Sequence, residues 1–526
     1  MGLTSKTRPS PPQVFALDLN CAIYHCVRKV QKRLPFTEAN RGRWEAALID
    51  SVVAYIRQMD LLVKPTETLY IGVDGVAPMA KIKQQRTRRF KSAVQAEEEA
   101  RIKADAKGVR YEPVPRWDTN AITPGTTFMT NLAMALRAYQ ATQPAKIVVS
   151  PADEPGEGEQ KIMTWLRNQS KKPESVVVYG LDADLIVLSL WASATMGIQM
   201  DLFREETEFN GAVKSDLMGE EQFLYMNVNH LSTELHETKG RPGQDRNEFL
   251  TDFVALMNLL GNDFVAHGMA LKIRDEGIEK LLDLYKGLKT PLLLKSATTY
   301  RYNPETLLTL FRILAAYEAA NITKCVKKKL ESRIGITHSK EPEDQALARY
   351  NDQPVQWGAE RCLIEYVAVP GEEKPRLQLH TRWKEVYDKE ALWGADPKKA
   401  TETYLSSLAW TLAYYAGETV DREWYYPWLL PPRFETIVAA LEAKTPIVAP
   451  TTERPVLKPL EQLAMVLPQS SFSLLPKQYA ALPAKHPHAW PVHWTLYSFG
   501  RRFLWECEPL IPLIQPDQIR AWIHDL

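Results

Sequence analysis

The sequence predicts an α/β chain: a mainly parallel sheet flanked by helices, with a mostly helical second region wrapped onto it. Three observations predict it. Four short apolar, β-branched runs stand in the first part of the chain, helical patterns fill the gaps between them, and acids fall at their C-terminal ends. The runs are Val14–Leu19, Thr68–Gly75, Ala145–Ser150 and Ser175–Asp182. A run apolar on both faces reads as a strand buried in a parallel sheet. The helical patterns cover roughly Trp44–Met59, Ile82–Ala106, Thr126–Gln140 and Gly158–Asn168. Strand and helix in alternation imply crossover connections and a doubly wound sheet.

The acids follow the strands. Asp18 closes the first, Asp74 the second, and Asp182 and Asp184 the fourth, while Glu157 and Glu159 open the helix after the third. Open α/β sheets bind ligands outside the carboxyl ends of their strands, so these six are expected along one rim. Phe249–Phe264 reads as a helix ended by Gly261, which delivers Asp263 from a loop.

A first domain is expected over residues 1–290 and a mainly helical region over 291–526. Leu307–Tyr317, Ala400–Ala416, Phe434–Ala443 and Pro459–Leu467 are its helix candidates. Thr337–Gln356 and the Pro-rich Thr445–Pro459 read as linkers or surface excursions. Pro431-Pro432 and the prolines from Pro483 to Pro491 argue for extended chain.

With 45% hydrophobic and 25% charged residues, the 526-residue chain has an ordinary soluble composition. Net charge is only +1, so nucleic-acid binding must come from local basic clusters. Cys21, Cys26, Cys325, Cys362 and Cys507 are scattered and form no C-x-x-C pair, which argues against a disulfide framework or zinc ribbon. A reducing, cytoplasmic setting is expected. No apolar run reaches the ~18 residues needed to cross a bilayer, so no membrane partner is expected. The N-terminus begins like a lipidation pattern, but Lys6 stands where Ser or Thr is required.

Acids gathered in one pocket raise one another's pKa values and need a neutralising cation. With no histidine or cysteine cluster nearby, oxygen ligands point to Mg²⁺, with Mn²⁺ able to replace it. Two such ions about 3.5–4 Å apart can activate water and stabilise the leaving oxygen of a phosphodiester. E-x-E and D-x-D taken singly read as solvated surface acids; their order after apolar strands argues for a site. Directly after Asp74, Lys81, Gln85, Arg88 and Arg89 share one helical face. That face suits a phosphate; a solvated charged helix is the alternative. Trp410, Tyr414 and Tyr415 fit a buried helix face, whereas Trp424, Tyr425, Tyr426 and Trp428 lie in a Pro-bounded stretch. Exposed aromatics there would be stacking platforms for single-stranded bases, although core packing is the better reading for any one of them.

Several of these stretches carry a resemblance. "LDLN" at 17–20, "GVDGVAPMAKIKQQRTRRF" at 72–90, "NAITPGTTFM" at 120–129, "PGEGEQKIM" at 155–163, "YGLDADLIVL" at 179–188 and "LLGNDFVAH" at 259–267 resemble the XRN family of 5′→3′ exoribonucleases. "YLSSLAW", "WYYPW" and "PLEQLAMVLP" extend the likeness into the second half. The resemblance implies a PIN/flap-nuclease-like fold and degradation of single-stranded RNA from a 5′-monophosphate, by a monomer, to nucleoside 5′-monophosphates. It implies that Asp18, Asp74, Glu157, Glu159, Asp182, Asp184 and Asp263 hold divalent metal. Lys81, Gln85, Arg88 and Arg89 match the family's pocket for the 5′-phosphate. Trp424 matches one base-stacking residue; at the place of the other, a histidine, stands Tyr24, with His25 next. Departures are clear: residues 1–13 do not supply the family's opening helix, Gln160 stands where a histidine is usual, and Val265-Ala266 replace Leu-Pro. The chain ends near the edge of the shared core, which reads as a minimal form. A DNA flap nuclease, or an inactive RNA-binding protein with this fold, are the rival readings.

Overall fold

A computed structural model describes residues 3–113, 115–180, 182–206, 222–332, 339–353, 358–452 and 454–526. At its centre is a seven-stranded sheet built from β1 (Thr4–Ser5), β2 (Val14–Asp18), β3 (Thr68–Gly72), β4 (Ile147–Ser150), β5 (Ser175–Tyr179), β6 (Gln199–Glu205) and β7 (Phe223–Asn227). The order across the sheet is β1-β7-β6-β5-β2-β3-β4. β2 to β6 run parallel, with β7 and β1 antiparallel at one edge. The helices of this part are α1 (Leu19–Arg33), α2 (Arg41–Val63), α3 (Met79–Ala106), α4 (Thr127–Thr142), α5 (Gly158–Asn168), α6 (Asp184–Met196), α7 (Val228–Lys239), α8 (Arg246–Asn258) and α9 (Gly277–Lys286).

Alternation along the strands sends side chains to two faces. Val14 and Ala16 join one apolar cluster, Phe15 and Leu17 the other. The first cluster continues into the second region, whose larger helices are α10 (Pro304–Leu330), α11 (Pro342–Asn351), α12 (Trp383–Leu392), α13 (Pro397–Ala416), α14 (Phe434–Glu442) and α15 (Pro459–Val466). Leu310, Trp410 and Phe434 therefore share a core with the sheet. A third cluster packs Ile82 and Phe90 of α3 against Leu463 and Val466 of α15.

The four expected strands are present, but two end early. β3 stops at Gly72, leaving Asp74 in the loop before α3, and β5 stops at Tyr179, so Asp182 lies in the turn before α6. β1, β6 and β7 had no expectation; β6 begins just after Gly197, whose φ of 71° ends α6. The helix expected over 249–264 runs instead over Arg246–Asn258. Gly261, at φ 88°, then turns the chain, and the Asn262 side chain accepts from the Phe264 and Val265 N–H groups, presenting Asp263 from a loop as expected. The expected linker at 337–356 is corrected: Pro342 starts α11, which packs on α3, while parts of that segment lie outside the described residues. The Pro-rich 445–458 stretch is irregular, as expected, where described. No cysteine forms a disulfide. Among the described residues, no helix is long and apolar enough to cross a membrane.

Candidate active site

The sheet order explains where the acids meet. From β2 the chain moves one way to β3 and β4, then returns to place β5 on the other side of β2. The crevice between β2 and β5 is thus a topological switch point. Register brings Asp18 level with Gly72, and Gly72 level with Ser150, so the strand ends form one rim. Asp18, at the end of β2, and Asp182, just after β5, face that crevice together with Cys21. One ligand atom from each lies within 4.8 Å of the others, a group that could hold a metal ion.

The other acids close around it. Asp18 and Glu157 take the cap positions of α1 and α5, and Asp184 lies in the first turn of α6, yet neither Asp18 nor Glu157 caps its own helix with its side chain. Helix N-termini favour negative charge, which lessens the repulsion without using up the carboxylate oxygens. Asp18, Glu157 and Glu159 are buried, and Asp18 Oδ1 has no hydrogen-bond partner. Burial, then Asp74 and Asp182, push the Asp18 carboxyl well above its usual range. Burial, then Glu157, does the same to Glu159, with Asp18 and Asp184 adding to it. Asp184 is pushed up to about 6 by burial and then by Asp263. Through these mutual effects all seven predicted acids form one electrostatic cluster.

Asp74 is held most firmly. Its Oδ1 accepts from the Gly158 N–H at 2.7 Å and its Oδ2 from the Asn20 amide at 2.9 Å, while its own N–H donates to Asn20 Oδ1. Glycine is required at 158 because a Cβ there would stand 2.5 Å from Asp18 Oδ1. Glu157 Oε2 accepts from the Tyr414 hydroxyl at 2.7 Å. Tyr414 was expected in the core and is buried there; the missed signal was its hydroxyl, since a buried phenol needs a polar partner. Asn20 and Cys21, in the first turn of α1 directly after Asp18, were given no role either; their signal was adjacency to that aspartate.

The basic face divides. Lys81 turns toward the acids. Its Nζ donates to Asp263 at 2.6 Å and stands 2.9 Å from Glu157 Oε1 as an ion pair. Burial pulls the ammonium down, but Glu157, Asp263 and Glu159 outweigh it and hold it well above the usual lysine value. Gln85 meets Gln462 of α15 at 3.4 Å. Arg88 is exposed, whereas Arg89 is half-buried with an unpartnered Nη1, close enough to Asp74 to feel its charge. Three further cations of α3 tie the two regions together: Lys83 donates to the carbonyls of Tyr426, Pro427 and Trp428, Arg86 to those of Pro512, Met465 and Ala489, and Lys91 to those of Leu504, Trp505 and Cys507.

Of the aromatic candidates, Tyr24 is 41% exposed, and its hydroxyl lies in the field of Arg89 and Arg88. His25 is corrected: it is buried and stacks on Tyr55, ring centroids 4.8 Å apart, on the opposite side of α1 from solvent. Neighbours on a helix point about 100° apart, so exposing Tyr24 turns His25 inward. Trp424 is half-buried, with one face against Trp410 at 5.8 Å. Tyr426 and Trp428 are buried.

A cluster with raised carboxyl pKa values makes a checkable statement about stability. A carboxylate whose folded pKa exceeds its unfolded value binds its proton more tightly when folded, so it weakens the fold as pH rises through that window. For Asp184 the window runs from 3.8 to about 6, and the cost is about 3 kcal/mol at most. The melting temperature in EDTA should therefore be higher near pH 5 than near pH 7.5, and Mg²⁺ should close most of the gap. A gap unchanged by Mg²⁺ would show that the acids do not share an ion.

Acids at a sheet's switch point thus stand beside a basic helix and an exposed tyrosine, and known proteins share stretches of this chain. The family model described as "XRN 5'-3' exonuclease N-terminus" matches residues 4–206, and "Xrn1 helical domain" matches residues 376–524. The chain is 26% identical to 5'-3' exoribonuclease 1 of Schizosaccharomyces pombe, over 96% of this chain and 46% of that protein. It is 24% identical to 5'-3' exoribonuclease 2 of Arabidopsis thaliana, over 96% of this chain and 61% of the relative. With 5'-3' exoribonuclease 2 of Gallus gallus it shares 25% identity, over 99% of this chain and 66% of the relative. The chain thus spans about half to two thirds of the length of these relatives. With both family models matched in order, and the acid rim, the α3 cations and the helical second region all in place, the chain belongs to the XRN family.

Proposed function

We propose that the chain is a metal-dependent 5′→3′ exoribonuclease that degrades single-stranded 5′-monophosphate RNA to nucleoside 5′-monophosphates. The observation that carries this reading is the convergence of seven acids at the switch point, with the buried Asp18 Oδ1 left unpartnered. Buried oxygens that neither cap helices nor find donors fit a hard divalent cation. Asp18, Asp182, Glu159, Asp184 and Asp263 would hold the ions; Asp74 and Glu157, whose oxygens already accept from Gly158, Asn20 and Tyr414, would complete the shell. When bound, two Mg²⁺ or Mn²⁺ ions supply Lewis acidity and an activated water.

The chain's own residues do the rest. Arg88 and Arg89, with Gln85, would grip the terminal phosphate; Arg89 brings an unpaired donor, Nη1, that suits an anion. Lys81 neutralises the acids in place, so its part is to hold the cluster ready rather than to grip the phosphate. Tyr24 offers an open ring to the first base, and the uncovered side of Trp424 offers a second surface. The division near residue 290 is a division of labour: the first region brings acids and cations, the second brings Tyr414 and Trp424. The enzyme would act as a monomer, in a reducing compartment such as the cytoplasm.

A charge-assisted hydrogen bond to phosphate contributes about 1.5–3 kcal/mol. Arg88→Ala should therefore lower the preference for 5′-monophosphate over 5′-hydroxyl RNA by roughly ten- to a hundredfold, with melting temperature unchanged. The measurement is a competition between end-labelled RNAs at fixed salt, because phosphate contacts are salt-sensitive. An unaltered preference would remove Arg88 from the phosphate site.

A further inference from the structure

On the opposite side of α5 from the acid rim lies a second cavity, of about 730 Å³, walled by α5 and by chain from the second region. Its volume is within the roughly 300–1,000 Å³ of small-molecule sites. We propose that it binds a small phosphate-bearing anion of the nucleoside-monophosphate class. The proposal is independent of the catalytic reading above, because it needs neither metal nor RNA.

Charge is the first support. The described lining contains Lys161, Arg167, Arg422 and Arg454 against Glu154 and Glu418; Arg454 is already paired with Glu423 at 2.9 Å, which leaves three cations to two acids. Both acids are already engaged: Ser150 donates to Glu154, and Arg301 grips Glu418 with two hydrogen bonds of 2.8 and 2.7 Å. Among the described residues the inner cations make no salt bridge, although Glu154, Asp74 and Asp153 lie near enough to act on the Lys161 charge. Lys161 donates to the carbonyls of Val73 and Pro151, and Arg167 donates to the Tyr415 carbonyl and the Thr164 hydroxyl, all neutral acceptors. Burial lowers the Arg167 pKa, the signature of a cation withdrawn from water without compensation.

Unpaired donors are the second support. Arg422 Nη1 and Gln160 Nε2 are both buried and both lack a hydrogen-bond partner, and Gln160 is only 6% exposed. Buried donors are almost always paired, and an exception calls for an unseen partner such as an ion. Arg167 and Arg422 both line the cavity with Tyr414 and both interact electrostatically with its hydroxyl. The wall is shaped for this. Gly417 has a φ of 76°, and a Cβ on it would stand 2.4 Å from Arg167 Nε, so the guanidinium lies flat against bare backbone. Two guanidinium forks and an amide match the oxygens of a phosphate.

Shape supplies the nucleoside. Trp165 and Tyr70 pack with centroids 5.1 Å apart in the same wall, giving an aromatic surface for a base beside the cationic end. Tyr414 separates this cavity from the acid cluster, since its hydroxyl donates to Glu157.

The test is calorimetric titration in EDTA, without RNA, using adenosine 5′-monophosphate and inorganic phosphate as separate probes. With the basic face of α3 weakened by Arg88→Ala, the protein should still bind one equivalent of the nucleotide, and phosphate at least tenfold more weakly. Arg422→Gln should weaken nucleotide binding at least tenfold at unchanged melting temperature, and Arg88→Ala should leave it intact. If Arg422→Gln lowers the melting temperature, Gln160→Met carries the test: it deletes the amide at nearly constant length, and a similar loss is expected. Unchanged binding in Gln160→Met would overturn the site. So would absence of saturable binding at millimolar nucleotide. Binding lost in Arg88→Ala and kept in Arg422→Gln would place the anion in the basic face of α3 instead. Equal affinity for nucleotide and phosphate would overturn the nucleoside part.

Discussion

Asp18→Asn will abolish degradation of 5′-phosphorylated RNA while raising the melting temperature of the metal-free protein. The two effects have one cause. Asp18 is 6% exposed, its Oδ1 has no partner, and it faces Asp74 and Asp182. An amide of the same shape removes a buried, repelled charge, so the empty cluster relaxes and the protein melts a few degrees higher. The same change removes a candidate metal ligand. Metal coordination stabilises the transition state by several kcal/mol, so the loss should reach about a thousandfold or more. Asp74→Asn is the contrast. Asp74 accepts from the Gly158 N–H and the Asn20 amide, and an amide nitrogen in its place would face a donor. That variant should lose activity and stability together. If Asp18→Asn also melted lower, Asp18 would be a structural residue rather than a ligand held against repulsion.

Lys81→Met will destabilise the protein at neutral pH, and Mg²⁺ will restore much of the loss. Lys81 is a cation inserted among the acids, 2.6 Å from Asp263 and 2.9 Å from Glu157. Removing one partner of a buried ion pair costs about 3–5 kcal/mol, because the remaining charges are left uncompensated. A divalent ion supplies the missing positive charge, so the deficit should be large in EDTA and small in Mg²⁺. Arg88→Ala, on the same helix but exposed, should show neither effect. Thermal melting of both variants with and without Mg²⁺ checks this. An unchanged melting temperature for Lys81→Met, with loss of only the 5′-phosphate preference, would return Lys81 to the phosphate pocket.

That reassignment shows what a sequence can carry. The strands β2 to β5 were legible because each is a short run of β-branched and apolar residues buried on both faces. The acids were legible because each stands at or just after a strand end, and sheet topology alone then brings them together. The direction of a long side chain is another matter. Residues 81, 85, 88 and 89 share a helical face by spacing, but Lys81 reaches back into the acids while Arg88 points to solvent. Spacing fixes the face; the neighbours that arrive from distant chain decide the partner. Likewise the partners of Lys83, Arg86 and Lys91 are not legible from spacing, because the carbonyls they hold come from 340 and more residues further along. Tyr24 and His25 were indistinguishable in one dimension, and only the packing of α1 against Tyr55 separates them. Strand β6 was missed because it lacks the uninterrupted apolar run of β2, β3 and β5: Asp201, Arg204 and Glu205 interrupt it.

The central claim is that the acid rim cuts RNA one nucleotide at a time from a phosphorylated 5′ end. The most direct measurement is incubation in Mg²⁺ with three RNAs of one sequence: 5′-monophosphate linear, 5′-hydroxyl linear and circular, with products resolved by length and an EDTA control. The account predicts nucleoside 5′-monophosphates as the sole early product, from the 5′-monophosphate RNA, with the circle intact and no reaction in EDTA. Internal fragments from the circle, or equal product with EDTA present, would contradict it.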